Sequence, residues 1–149
     1  MRAVAQRVSS ASVSVGGREV ARMGPGLLAL VGVGAEDGEA QARELARRLV
    51  ELRVFPDAQG RMNRSLLETG GTLGVVSQFT LYGDARHGRR PSYVGAAPPA
   101  RAEPLLDALV TAARALGAPV VTGRFGAAME VALVNQGPVT ILLDTEKRF

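Results

Sequence analysis

A single histidine, His87, stands in a chain that has no cysteine at all. The chemistry open to its side chains is therefore narrow. A nucleophilic triad can be drawn from Ser77 or Ser92, with His87 as base and Asp84 as its orienting carboxylate. Against it stands the setting of His87, a glycine- and arginine-rich stretch in which a solvated side chain is the ordinary outcome. Zinc ligation needs several nitrogen, sulfur or carboxylate donors brought close together. One histidine, no cysteine and no close carboxylate cluster do not supply them, so no metal is expected. The lack of cysteine also removes a thiol nucleophile, a disulfide framework and iron–sulfur chemistry. Gly32-Val33-Gly34 lacks the third glycine and the correctly placed helix of a dinucleotide loop, and no lysine-bearing phosphate loop exists. No cofactor is expected. An enzyme with so little acid–base machinery would have to work by positioning, by backbone hydrogen bonds and by groups on its substrate.

The net charge is +4 and the isoelectric point about 10.6. A basic balance favours a polyanionic partner such as nucleic acid. Of the 18 basic residues only Lys147 is lysine. Such arginine-rich, alanine-rich usage also arises from genome composition alone. The longest apolar run, Leu27 to Val33, is broken by Gly32 and falls far short of the roughly 20 residues a membrane span needs. Charges interrupt the opening Met1–Arg7 before any signal-peptide core forms. A cytoplasmic protein with no membrane partner is expected.

The elements that must position any site follow from patterning. The 149 residues suit one domain, 1–149. Short β-branched stretches carry Val4, Val8, Val13 and Val15, with Gly16-Gly17 as a hairpin signal before Glu19–Met23. Gly24-Pro25-Gly26 turns into a buried strand, Leu27–Val31. Asp37 to Leu52 reads as a helix with Leu45, Leu49 and Leu52 on one face, and with outer pairs Glu39–Arg43 and Glu44–Arg48. Pro56, Asp57 and Gly60 make a turn. Leu73–Leu81 reads as a buried strand carrying Ser77-Gln78-Phe79-Thr80. A long loop, Gly83–Pro99, follows; loops of that length in a compact domain usually serve function. A second helix is expected from about Glu103 to Leu116, with Pro104 in its first turn and Leu105, Leu109, Ala112 and Leu116 as its stripe. Strands at Val120–Thr122, Met129–Asn135 and Val139–Leu143 complete the chain, the last two joined by Gln136-Gly137-Pro138. This is an α/β pattern without strict alternation. It suggests three layers, β/β/α: two stacked sheets or one partly rolled sheet, with both helices on one outer face.

Several segments, in order along the whole chain, resemble the D-aminoacyl-tRNA deacylases. They are Met1 to Val13, Gly24-Pro25-Gly26-Leu27-Leu28, Ser77-Gln78-Phe79-Thr80-Leu81-Tyr82 and His87-Gly88-Arg89-Arg90-Pro91-Ser92. Gly95-Ala96-Ala97-Pro98, Thr122 to Ala127 and Asn135-Gln136-Gly137-Pro138-Val139-Thr140 complete the set. Ser-Gln-Phe-Thr and Gly-Pro-Val-Thr at this separation are the specific part. The chain departs from common family usage at Gly83, His87 and Gln136. The resemblance implies a homodimer with two active sites at the interface and no cofactor. It implies an ester substrate, an amino acid on the 3′ end of tRNA, with D-amino acids and glycine accepted and L-amino acids excluded. Removal of glycine wrongly attached to tRNA(Ala) falls within that range.

The resemblance also assigns roles. Ser77, Gln78, Phe79 and Thr80 would form the catalytic segment, with backbone N–H groups around Phe79 and Thr80 facing the ribose hydroxyl or ester oxygens. Gly137 and Pro138, joined by a cis bond, would enter the partner's pocket as the chiral filter, held by Arg7. Phe125 and Met129 would pack near the terminal adenine, which an aromatic ring and a thioether suit. Read without the resemblance, Ser77–Thr80 is a plain core strand, Gly137-Pro138 a tight turn, Arg7 an exposed charge, and Phe125 and Met129 core residues. Thr80 resembles a nucleophile, yet no base is at hand to activate it, so the substrate's own 2′-hydroxyl is preferred. Two other functions compete: a non-catalytic RNA-binding module, and a serine esterase centred on His87. The loop Arg86-His87-Gly88-Arg89-Arg90 is either a tRNA contact or a solvated basic loop.

Overall fold

Alternating small apolar and polar side chains from Arg2 to Val15 form one continuous strand, β1, in the computed structural model, which describes residues 1–149. This strand is the spine of the sheet. Its first half pairs antiparallel with β3 (Gly26–Gly32), and its second half, Ala11 to Val15, with β2 (Arg18–Met23). Along its other edge runs β8 (Met129–Asp144), antiparallel over the whole length. β6 (Thr72–Ser77) joins β3 in parallel, and β7 (Val120–Thr122) joins β6 in parallel.

The two strands expected at Met129–Asn135 and Val139–Leu143 are thus one strand. Gln136-Gly137-Pro138 is not a hairpin turn between neighbours. Between the pairs Gln6–Thr140 and Val8–Asn135, β1 advances two residues while β8 advances five. The extra residues leave the ladder as a bulge, which bends the strand and exposes its tip.

Two apolar clusters lie on opposite faces of the sheet. The larger has 26 residues and packs Ala3, Ala5, Leu27, Ala29, Val31, Leu73 and Val75 against two helices, α1 (Glu39–Glu51) and α3 (Pro99–Ala115). The smaller joins Leu28 and Val76, the alternate side chains of β3 and β6, to Val8, Ala11, Val13 and Met23. The far end of the β1–β2 hairpin therefore folds back over the central strands. The result is the partly rolled form of the three-layer β/β/α arrangement, with both helices on one outer face.

Several boundaries differ from the sequence reading. α1 starts at Glu39 because Asp37 is buried and serves elsewhere. Of the two expected ion pairs only Glu39–Arg43 forms; Arg48 instead donates to the Asp144 carbonyl at 2.7 Å. α3 starts at Pro99, which suits a first helical position, so Pro104 falls in the second turn and is not an opening residue. Having no N–H, Pro104 leaves the Ala100 carbonyl without its helical partner, on a face open to water. The buried stripe of α3 is Ala102, Leu105, Leu106, Leu109, Val110 and Ala113; Leu116 lies beyond it and is exposed. Around the expected turn, β4 (Phe55–Pro56) and β5 (Met62–Arg64) form a small hairpin. The short α2 (Leu66–Thr69) was not anticipated, although Ser65 and Glu68 spell its capping box.

Candidate active site

β3 and β6 end side by side at Val31 and Ser77. Gln78 N–H makes one further bond, to the Val31 carbonyl at 2.7 Å, and the backbone then leaves the sheet. Phe79–Tyr82 is a single 3₁₀ turn. The strand expected to continue to Leu81 therefore stops at Ser77, because its neighbour offers a seat for a turn instead of a further strand. A side chain at Gly32 would place its Cβ 2.9 Å from the Gln78 carbonyl oxygen, and one at Gly34 would come within 2.7 Å of the Tyr82 hydroxyl. Both positions need glycine for close approach. Gly32-Val33-Gly34, rejected above as a nucleotide loop, is the floor under the turn.

The turn is braced from below. Tyr82 donates to Asp37 at 3.3 Å, and Asp37 also accepts from the Gly34 N–H and from the Met1 amine, both at 2.6 Å. Burial, together with the Asp37 carboxylate, pushes the Tyr82 phenol above its usual range. The Arg2 guanidinium lies 4.5 Å from the Tyr82 ring centroid and donates to the Leu81 carbonyl at 3.1 Å.

This geometry does two things to the exposed side of the turn. The N–H groups of Phe79 and Thr80, at its start, donate to no acceptor in the protein. The Phe79 side chain points out and is 57% exposed, contrary to its reading as core. Its ring meets Tyr93 edge-to-face, with centroids 5.1 Å apart. The Thr80 hydroxyl is exposed and accepts a hydrogen bond from the Gln78 side-chain amide at 2.5 Å.

Ser77, Gln78 and Phe79 form one wall of an open cavity of about 560 Å³. Tyr93, Ala96 and Ala97 from the long loop, Ala102 and Leu106 from α3, and Phe125, Met129 and Val131 line it as well. Tyr93 is the one ionisable side chain among the lining residues. The Met129 sulfur lies where a side chain at Gly123 would stand, 2.6 Å from that glycine's would-be Cβ.

The structure thus gathers Ser77, Gln78, Phe79, Phe125 and Met129 on one cavity, with Thr80 adjoining. Arg7, Gly137 and Pro138 are not on it. They form a second group at the β8 bulge. Arg7 donates from Nε to the Gln136 carbonyl at 3.1 Å and from its terminal nitrogen to the Val54 carbonyl at 2.6 Å. The Asn135 side chain accepts from the Val139 N–H at 3.1 Å and donates to the Thr140 hydroxyl at 3.0 Å. Gln136, Gly137 and Pro138 are exposed, and the Gly137-Pro138 bond is cis. Arg7 is accordingly a brace, not a free surface charge.

The triad drawn from sequence does not assemble. Both carboxylate oxygens of Asp84 are taken by the Arg86 guanidinium, at 2.9 and 2.6 Å, which holds that carboxyl well below the usual range. No hydrogen bond joins Asp84 to His87, and His87 is exposed. No three His, Cys, Asp or Glu side chains gather as a metal site. Sequence reasoning missed Tyr93 and the brace of Arg2, Asp37 and Tyr82. A signal for the brace existed: two glycines at the end of one strand, opposite the end of another.

The D-Tyr-tRNA(Tyr) deacylase family profile matches residues 4–144. A D-aminoacyl-tRNA deacylase of Roseiflexus sp. (strain RS-1) is 61% identical over 145 residues, which are 97% of this chain and 94% of that protein. Another, of Symbiobacterium thermophilum, is 58% identical over 149 residues, 100% of this chain and 99% of that protein. A solved structure named c-Myc DNA Unwinding Element Binding Protein superposes with a TM-score of 0.92 at 36% identity, covering 97% of this chain and 99% of that one. No helix is long and apolar enough to cross a membrane.

Proposed function

The chain belongs to the D-Tyr-tRNA(Tyr) deacylase family and is a D-aminoacyl-tRNA deacylase, and we propose that it hydrolyses its ester with hydroxyl groups of the substrate, not with a side chain of its own. One observation carries this reading. Two unpartnered N–H groups, on Phe79 and Thr80, stand at the edge of a cavity that holds no ionisable side chain except Tyr93. As the ester carbonyl is attacked, its oxygen gains negative charge. Fixed N–H donors facing that oxygen stabilise it without reorganising. The Thr80 hydroxyl is a poor nucleophile here, because its one side-chain hydrogen-bond partner is an amide that donates to it. The vicinal 2′-hydroxyl of the terminal ribose lies next to the ester and assists the attacking water. The water's oxygen ends in the carboxylate of the released amino acid, and the 3′-oxygen leaves with a proton. Phe125 and Met129 hold the adenine face.

Selectivity is assigned to a second subunit. The Gly137-Pro138 bulge is exposed, lies off its own chain's cavity and is held by Arg7 and Asn135. β8 pairs only with β1, so its outer edge is free, and Val134 and Leu142 on it are 57% and 56% exposed. These features support a homodimer in which each bulge enters the partner's cavity, so that the active sites lie at the interface. A fixed backbone wall beside the substrate Cα excludes an L side chain and leaves room for hydrogen or a D side chain. Glycine mischarged on tRNA(Ala) is then a substrate too, and the cytoplasm, where such tRNAs are made, is the place of action.

Purified protein incubated with D-Tyr-tRNA, glycyl-tRNA and L-Tyr-tRNA side by side tests this. Loss of the first two esters with persistence of the third is the expected result. Protection of the D-Tyr ester, as a non-catalytic RNA-binding module would give, contradicts it.

A further inference from the structure

The segment from Asp84 to Ser92 leaves the domain as an arm. Its base is closed by a reciprocal pair of backbone bonds, Asp84 N–H to Ser92 carbonyl at 2.8 Å and Ser92 N–H to Asp84 carbonyl at 2.9 Å. The arm's one carboxylate, Asp84, is consumed by Arg86, which takes both of its oxygens. Arg89 and Arg90 remain. Both are exposed, and neither has a carboxylate or any other side-chain partner. Two consecutive residues near the tip thus carry uncompensated guanidinium groups.

The arm's position gives these charges a direction. Tyr93 follows the base directly and meets Phe79 edge-to-face on the cavity wall. The arm therefore rises from the rim of the cavity. Its tip, four residues beyond the base, reaches at most about 13 Å outward. A polynucleotide whose terminal adenosine fills the cavity and that leaves across this rim brings its next phosphates within the arm's reach. Guanidinium groups bind phosphate oxygens in paired fashion and remain charged at all relevant pH values.

We propose that Arg89 and Arg90 grip backbone phosphates of the tRNA acceptor end as it leaves the cavity, and so supply a sequence-independent part of substrate affinity. This rests on the deacylase reading above. Phosphate contacts carry a signature that a solvated loop lacks. Each neutralised phosphate releases counterions and contributes a salt slope of roughly −0.7 to −0.9 in log–log form. The contact also requires the polynucleotide, so a substrate reduced to aminoacyl-adenosine cannot use it.

The test compares the unaltered protein with Arg89→Ala/Arg90→Ala and Arg89→Lys/Arg90→Lys on two substrates, D-Tyr-tRNA and D-tyrosyl-adenosine. With tRNA, kcat/KM of the alanine variant should fall at low salt, and between about 50 and 200 mM salt the deficit should shrink by about tenfold. The lysine variant should keep most of the salt slope. On D-tyrosyl-adenosine all three proteins should be equal. Equal activity and equal salt slope of all three on tRNA overturns the inference while leaving the deacylase reading intact. An equal loss on both substrates overturns it too, since the arm would then act on the cavity. No hydrolysis of either substrate by the unaltered protein overturns the deacylase reading, and this inference with it.

Discussion

In β3 and β6 the side chains of Leu27, Ala29, Leu73 and Val75 lie sealed beneath α1 and α3, while just past the end of β6 Phe79 and Thr80, with Tyr93 from the long loop, stand exposed around an open cavity. The sealed region is held mainly by apolar area. Leu45, Leu49, Leu73 and Leu109 have no measurable exposure there. The open region is held by close backbone approaches and by polar groups: Gly32 and Gly34 under the turn, and buried Asp37 with part-buried Tyr82 and Arg2 below it. The first kind of order tolerates small errors of position. The second does not, because under the proposed mechanism it must aim two N–H groups.

That contrast is open to attack by substitution. The largest effect on folding should come from Leu109→Ala, which empties a fully buried site. It should cost about 2–5 kcal/mol in urea unfolding while leaving activity per folded molecule near normal. An activity loss beyond the unfolded fraction would join the two regions that are separated here. Gly32→Ala should invert the pattern. Its Cβ would press on the Gln78 carbonyl and the Leu81 side chain. Displacing the turn by a fraction of an ångström to an ångström should lower kcat/KM by about a hundredfold, with a stability loss of only about 1–3 kcal/mol. A fully active Gly32→Ala protein would show that the turn's position is immaterial.

Smaller effects sharpen the account. Thr80→Ala removes a hydroxyl that no base activates and keeps the N–H beside it. It should lower kcat by less than about tenfold, whereas a drop of about a thousandfold or an acyl ester trapped on Thr80 would make it the nucleophile. Exhaustive treatment with EDTA should change nothing, since one histidine and no cysteine leave a metal without ordinary ligands. Loss of deacylation with recovery on adding zinc would contradict that.

The same contrast explains what the sequence discloses. The sealed side follows from periodicity, so α1, the core of α3 and the strands β2 and β3 were readable with errors of a few residues, whereas β1, read as short stretches, is one strand of 14 residues. The errors lie where a residue has a tertiary duty. Asp37 resembles the start of a helix but is a buried acceptor for Met1, Gly34 and Tyr82. Leu73–Leu81 has the composition of one strand, yet Gly32 and Gly34 on its neighbour turn it aside after Ser77. Met129–Leu143 resembles a hairpin because Gly-Pro punctuates it, but both halves stay on β1 and only the bulge departs. Motif resemblance rather than side-chain chemistry singled out Ser77, Gln78, Phe79, Phe125 and Met129, which share one cavity. The groups proposed to work there are backbone N–H groups, which every residue but proline possesses and which only the fold can aim.

The central claim is that this site contributes aim and charge stabilisation while the substrate contributes the reactive hydroxyl. The most direct measurement uses tRNA ending in 2′-deoxyadenosine, charged with D-tyrosine on its remaining 3′-hydroxyl, under single-turnover conditions. The account predicts that hydrolysis slows by at least about a hundredfold relative to the ribose form, the scale expected when a group assisting proton transfer is lost. Hydrolysis at the full rate would contradict it and would return the search for the missing base to the protein.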